Sequence, residues 1–452
     1  MEARAAVVTA PEQGILRRLV SLSWPLTVSE FLGILVPVID MVWIGKLGAE
    51  AIAGAGMAAS VAAVIMSSIS GLNIGLRATV SRLVGAGDHD GAVHMLKQAF
   101  VIALVFTAVV AVAGGLLSRP LLSTFGLEAK AVDQGTPYLA LMLAATPLFT
   151  CRLLAEAAMQ ASGDAVTPMK ITVAHRILHA GLSPALVFGW LFFPELGVRG
   201  AAWAPIAAQS VALALGLWVL TTGRTRLRLK LLPLRVVRRD IWRLVKLSAP
   251  TSVAFMQNDL GQTVIGWIMV PFGTTAVAAH VVARRIEQVL FMPISGLGLA
   301  SGILTGQYLG IKRPDIAAKN GWIAAGIAAS FGLVSAAAVL LFAPSIVGVF
   351  NSEPGLVGMA TTFARIGSLS YALIGVIVVF LTCLNGAGDT VPPMLIMAGC
   401  LWLIGIPLAF FLPRATGMSV YGLRWMLQSI AVLTAAGFVV YYQSGRWKTR
   451  KI

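Results

Sequence analysis

The sequence predicts an all-α membrane protein with twelve transmembrane helices, arranged as two six-helix lobes related by a parallel pseudo-two-fold repeat. Three observations predict it. First, 58% of the 452 residues are hydrophobic and 12% are charged, about half the charge of a soluble domain, and mean hydropathy is +0.86. Second, the apolar residues fall into twelve blocks, each matching or exceeding the roughly 20 residues that cross a bilayer. Third, landmarks in the first six blocks recur in the last six at a nearly constant offset of 225 residues. This composition excludes a disordered chain, a collagen and a disulfide-stapled secreted domain.

In chain order, the first lobe (residues 1–221) holds blocks at 22–45, 51–81, 95–118, 132–161, 168–193 and 199–221. The second (residues 247–442) holds 247–271, 275–308, 321–343, 357–384, 391–412 and 419–442. Several exceed a simple span, which predicts tilt or extension beyond the lipid. Between the lobes, residues 222–246 carry Arg224, Arg226, Arg228, Lys230, Arg235, Arg238, Arg239, Arg243 and Lys246 against the single acid Asp240, and read as a basic linker. Residues 443–452 form a basic tail with Arg446, Lys448, Arg450 and Lys451. Basic residues also collect after the second block (Arg82, Lys97) and the eighth (Lys312, Arg313, Lys319), on the same side of twelve crossings. The positive-inside rule makes that side the cytoplasm, with both termini inside, in a multi-pass protein of the cytoplasmic (inner) membrane. The net charge of +16 thus orients helices, and no nucleic-acid partner is expected. Residues 1–13 lack an apolar core with a small-residue cleavage site, so the first span is the expected insertion signal. Cys151, Cys383 and Cys400 have neither a disulfide framework nor zinc spacing, and read as packing residues.

The repeat aligns Leu22-Ser23-Trp24-Pro25 with Leu247-Ser248-Ala249-Pro250, and Ser70-Gly71-Leu72 with Ser295-Gly296-Leu297. Gly85 falls on Gly310, Asp90 on Asp315, Phe125 on Phe350, Gly163-Asp164 on Gly388-Asp389, and Pro168-Met169 on Pro393-Met394. Near the end the offset slips to 222, where Gly200 and Trp203 meet Gly422 and Trp425. An even number of crossings per copy gives both copies the same orientation, the parallel type of transporter repeat. Two such lobes enclose a central cleft, and rocking one against the other exposes it to alternate sides.

At these landmarks the chain resembles the MATE (multidrug and toxic compound extrusion) family, from Leu22 to about Val440. The matching pieces include Trp24-Pro25, Asp40 and Gly45-Lys46-Leu47-Gly48, Ser81 through Asp88, and Ala161-Ser162-Gly163-Asp164 through Thr167-Pro168-Met169. Ala278-Ala279-His280, Arg285-Ile286-Glu287 and Asn385 through Thr390 match in the second half. The resemblance implies a twelve-helix antiporter that exports organic compounds against inward protons or sodium ions. Asp40 and Arg285-Ile286-Glu287 point to the DinF-like and archaeal-type branch. The carboxylates that a NorM-like member carries in its seventh and tenth helices fall here on Asn258 and Ile374. The Asn, Asp and Thr that join the first-helix acid in this branch's cation site fall on His179, Ser183 and Pro205, which argues against sodium.

The residues themselves add the chemistry. Asp40 sits in an otherwise apolar helix, where a carboxylate costs from about 2.5 kcal/mol upward unless it faces a cavity, finds a partner or takes up a proton. Desolvation favours its neutral form, which suits a proton carrier. Pro37, three residues earlier, lacks an N–H and is a candidate hinge. Snorkelling or a helix–helix hydrogen bond is the plainer reading of Asp40. His175, His179 and Ser183 recur every four residues on one face of the fifth helix. Either His179 and Ser183 pass a proton with Asp40, an imidazole being suited to it, or they make helix–helix contacts. Among the remaining acids, Glu287, Asp259 and Glu156, with Asn258 beside Asp259, are candidates to line the cleft and attract cationic substrate, while a pair with Arg284 three residues away is the plainer reading of Glu287. Met256 and Met292 could contribute an adaptable apolar wall or simply pack.

The Gly-Asp turns lack a Gly-Lys-Ser/Thr signature, so no ATP or other cofactor is expected, and no third ligand joins the histidines to make a metal site. The expected function is secondary antiport of amphiphilic, often cationic organic compounds against H+ (Na+ as the lesser alternative) by a monomer surrounded by membrane lipids. The rivals are sodium-coupled efflux and a flippase for lipid or polysaccharide precursors, served by Arg77 and Arg284. An enzyme is not expected, because no nucleophile, metal set or paired-carboxylate site is present.

Overall fold

The computed structural model describes residues 12–126, 128–190, 193–230, 235–350, 353–415 and 417–450, except for the side chains at 12, 13, 34–41, 49, 414 and 415. Among the described residues the regular structure is helical. In order the helices are α1 (Glu12–Gly45), α2 (Ala49–Ala86), α3 (His89–Ser123), α4 (Ala129–Ala144), α5 (Thr146–Ala161), α6 (Val166–Phe188), α7 (Val198–Thr222) and α8 (Arg238–Met269). They continue as α9 (Thr274–Gly310), α10 (Pro314–Gly348), α11 (Pro354–Ser368), α12 (Tyr371–Gly386), α13 (Val391–Ala398), α14 (Ile406–Ala415) and α15 (Val420–Gln443). Eight described segments are long and apolar enough to cross a membrane alone. Two more spans are bent pairs, α4 with α5 at 43° and α11 with α12 at 53°. With α1 and the more polar α8, these make the twelve spans that the blocks predict. Helices of 35–38 residues, such as α2 and α9 to α10, run beyond 50 Å at about 1.5 Å per residue, well over a 30 Å hydrocarbon core.

The repeated landmarks are turns and close approaches. After α2, Gly87 takes the left-handed conformation (φ 82°) and Asp88 caps α3 by accepting from the Gly91 N–H at 2.8 Å. Gly163 (φ 94°) and Gly388 (φ 77°) make the same left-handed turn after α5 and α12, the conformation for which a residue without Cβ is preferred. Asp164 then accepts from the Thr167 N–H at 3.0 Å. Two turns keep the shape without the glycine: Lys312 (φ 60°) stands one repeat after Gly87, and Ser419 (φ 53°) one repeat after Gly197 (φ 55°).

The chain divides into two compact units. The first contains Val28–Ser252. Its interior includes one cluster around Leu76, Leu96, Ala158 and Leu220 and another around Ala55, Leu139 and Val187. The segment expected as a linker packs onto this unit: Leu227, Leu229 and Leu244 enter its core, Gln98 bonds to both Arg235 O and Val237 N, and His94 meets Asp240 at 3.0 Å. Gly71 lies against the backbone and hydroxyl of Ser252, which donates to Ser68 O at 2.7 Å.

The second unit joins Met1–Thr27 with Val253–Ile452. Its core is built around Ala279, Phe363, Leu423 and Met426. Gly296 lies against Thr27 in the way that Gly71 lies against Ser252; Thr27 and Ser252 are themselves one repeat apart. Gly71 and Gly296 are therefore where a hydroxyl-bearing helix turn presses on the second helix of each repeat, leaving no room for a Cβ. The tail ends the unit in a 3-10 turn at Arg446–Thr449, whose Trp447 is fully buried, stacks on Tyr442 at 4.8 Å and donates to Tyr442 O.

Candidate functional site

In the first unit, apolar helices bring several charged side chains into one buried region. Arg152 and Glu156 stand four apart on α5, hence on one face, and form an ion pair with both side chains almost fully buried. The Thr172 hydroxyl on α6 donates to Glu156 at 3.4 Å. Arg77 on α2 lies in the field of both Glu156 and Glu30. Carboxylates and guanidiniums thus lie close enough to offset one another, which a low-dielectric interior requires of buried charge. His175 stacks on His179 at 6.3 Å with nearly parallel rings, and Arg152 and Arg176 lie close to His175. His179 and Ser183 are fully buried, so the four-residue spacing puts an inward-facing polar stripe on α6. Neither ring nitrogen of His175 nor the Ser183 hydroxyl has a hydrogen-bond partner among the described residues.

The side chains of Asp40 and Pro37 lie outside the described residues, although α1 runs through both positions. Their level can still be read. Trp43 packs edge-on against Phe188 and Trp190, each at 6.0 Å, which sets the end of α1 beside the end of α6. Asp40 is about one turn before Trp43, and Ser183 little more than one turn before Phe188. Backbone positions 40 and 183 therefore share a level on neighbouring helix ends.

The second unit buries charge elsewhere. The Arg424 side chain on α15 is 0% exposed. It donates to Glu287 at 2.5 Å, to Phe363 O at 3.1 Å, and toward His280 Nδ1 at 3.4 Å. The expected Arg284–Glu287 pair is present at 3.5 Å. Arginine only donates, so His280 Nδ1 accepts and the ring is the neutral imidazole. Of the other cleft candidates, Met256 and Asp259 are exposed, Asn258 is half-buried, and Met292 is packed inside the unit. Neither Glu156 nor Glu287 offers the free negative charge expected of a cation trap, because a buried arginine neutralises each. Arg152 could have been found as the residue four before Glu156. Nothing local marks Arg424, whose partners arrive from α9 and α11.

The MatE family model matches residues 25–185 and again 250–411, so both halves of the repeat satisfy it. The chain belongs to the MATE family. Similar curated relatives of this MATE protein include a probable multidrug resistance protein NorM of Thermotoga maritima, 25% identical over 97% of this chain and 94% of its own. Another is a FAD transporter of Shewanella oneidensis, 24% identical over 99% and 97%. Among solved structures, the Vibrio cholerae MATE transporter VcmN in the bent form matches with a TM-score of 0.88 at 21% identity, over 96% of this chain and 97% of that one. Members of the family are transporters, not enzymes.

Proposed function

We propose that this MATE chain is a secondary antiporter of the cytoplasmic membrane that exports amphiphilic, often cationic organic compounds in exchange for protons, by alternating access. The single observation that carries the reading is the shared level of Asp40 and Ser183 on neighbouring helix ends, with His179 a turn away on the same buried stripe. That set holds one carboxylate, one imidazole and one hydroxyl. It can hold and pass a proton, but it is a poor match for sodium, which favours several oxygen ligands. Proton uptake by Asp40 removes a charge from the apolar interior, which favours a different helix arrangement from the ionised form. Pro37 is the hinge of this scheme. Exposed Asp259 and Met256, with half-buried Asn258, are proposed substrate contacts on the second unit. The relatives named for multidrug resistance support an organic substrate.

The test is export of ethidium, an amphiphilic cation, from proteoliposomes with proton and sodium gradients imposed separately. A proton gradient should drive uphill ethidium movement, and Asp40→Asn should slow it at least tenfold. Movement driven by sodium alone, or full-speed uphill export by Asp40→Asn, would overturn the proposal.

A further inference from the structure

The connector between the two halves is basic by sequence, and its packing decides what those cations face. From Arg226 to Lys230 charged and apolar residues alternate: Leu227 and Leu229 are buried in the core of the first unit, while Arg226, Arg228 and Lys230 are exposed. The Leu229 N–H donates to Leu220 O at 2.8 Å, and the Arg226 guanidinium donates to Ser162 O at 3.4 Å. The strap thus turns its leucines inward and its cations outward. The first turns of α8 sort their residues in the same way. Leu244 and Ser248 are buried and Asp240 is held by His94, which fixes the inward face. Arg239, Trp242, Arg243 and Lys246, spaced i, i+3, i+4 and i+7, share the opposite face of the helix and are all exposed.

The surface lacks counter-charge from the protein. None of the nine cations between Arg224 and Lys246 forms an ion pair among the described residues, and the single acid of that stretch is taken by His94. Arg243 also lies in the field of Arg82 at the end of α2, a crowding of like charge that an anion relieves. Apolar groups stand uncovered among these cations: Trp242 is 67% exposed and Val236, just before the helix, 58%. At the end of α7 the Arg224 guanidinium lies 4.1 Å from the ring centroid of the exposed Trp218. Guanidiniums beside exposed indoles suit the headgroup layer of a bilayer, where phosphates meet the cations and the rings sit at the interface. Depth agrees with this. α8 has 32 residues, about 48 Å at about 1.5 Å per residue, against a hydrocarbon core of about 30 Å. Residues 238–246 span about 12 Å of that excess and fit within the headgroup layer.

We infer that the outward face of the strap and of the first turns of α8, centred on Arg239, Trp242, Arg243 and Lys246, binds anionic phospholipid headgroups of the adjoining leaflet. A lipid is favoured over a soluble anion because Trp242 and Val236 share the surface, and a free phosphate would leave both in water. The chain between Thr222 and Lys246 also leaves one span and enters the next, which keeps it beside the bilayer. The tail after the last helix of the second unit offers no equivalent surface: Trp447 is fully buried and Arg450 pairs with Asp389 at 2.9 Å. The surface contains none of the residues assigned to the proton, so the ethidium experiment can fail without affecting it.

The test is native mass spectrometry of the delipidated full-length protein in a neutral detergent, titrated with dioleoyl phosphatidylglycerol or dioleoyl phosphatidylcholine at fixed ionic strength. The parent should bind phosphatidylglycerol at least fivefold more tightly than phosphatidylcholine. Arg239→Gln combined with Arg243→Gln, both at exposed side chains, should cut that preference at least threefold, and either change alone should cut it in part. Arg446→Gln combined with Lys448→Gln removes as much charge from the second unit and should leave the preference intact. Soluble glycerol phosphate at the lipid's concentration should not displace the lipid. Equal binding of the two lipids, equal losses in the two double variants, or displacement by glycerol phosphate would overturn the inference.

Discussion

In the first unit Glu156 meets Arg152 one turn away on its own helix, whereas in the second Glu287 takes its buried arginine from a helix 137 residues along the chain. The first pair lies toward the Gly-Asp turn that ends α5. The second involves Arg424 roughly one turn, and His280 roughly two turns, from the opposite ends of their helices. Neither set has a charged counterpart in the other repeat, since Arg152 and Glu156 align with Ile377 and Leu381. A duplicated bundle thus preserved its turns and helix contacts while each copy placed its buried ion pair independently. Shared features answer to packing and unshared ones to chemistry.

The strongest way to break this comparison is to remove the arginines. Arg424→Ala strips Glu287 of its buried partner and orphans Phe363 O, and should cost about 3–5 kcal/mol of stability. Arg152→Ala should cost less, because Glu156 keeps the field of Arg77 and the hydroxyl of Thr172. Thermal unfolding of both variants in detergent measures the gap, and equal losses would erase the distinction. Next in size come the shared glycines. Gly71→Ala and Gly296→Ala each force a methyl against a neighbouring helix turn and should destabilise by about 1–3 kcal/mol. Because Ser252 and Thr27 make the same approach, the two losses should agree, and strongly unequal values would show that the contact is not a true repeat. Smallest are the turns that lost their glycine. Lys312→Gly and Ser419→Gly relieve a left-handed conformation and should each stabilise by about 1 kcal/mol, while the reverse change Gly87→Lys should cost a similar amount. A loss of stability in Lys312→Gly would mean that its side chain makes compensating contacts.

Much of the fold was legible because the bilayer imposes a simple rule: a helix must be long and apolar to cross it. The twelve blocks, the bend in the fourth and tenth spans aside, fall where the helices lie. The Gly-Asp turns were visible because a left-handed residue and a capping carboxylate use few residue types. The site was legible only in part. The one-face spacing of His175, His179 and Ser183 followed from helix geometry, and all three are buried. The pairing of Glu156 with Arg152 is equally local, yet an isolated acid in an apolar run looks the same whether solvated or paired, so the sequence alone leaves Glu156 a candidate for the cleft. Arg424 was out of reach, as was the burial of Trp447 in the tail.

What the sequence determined by itself was the membrane setting, the twelve crossings, the duplication and the family. Each rests on periodicity and on residue types whose local physics allows few outcomes. What only the tertiary structure decided was which charges meet. Thr27 goes with the second unit and Ser252 with the first, the basic connector packs into the first unit, and Glu287 is claimed by Arg424. Those outcomes depend on helices brought together from distant parts of the chain, where a buried charge takes whichever partner the packing delivers.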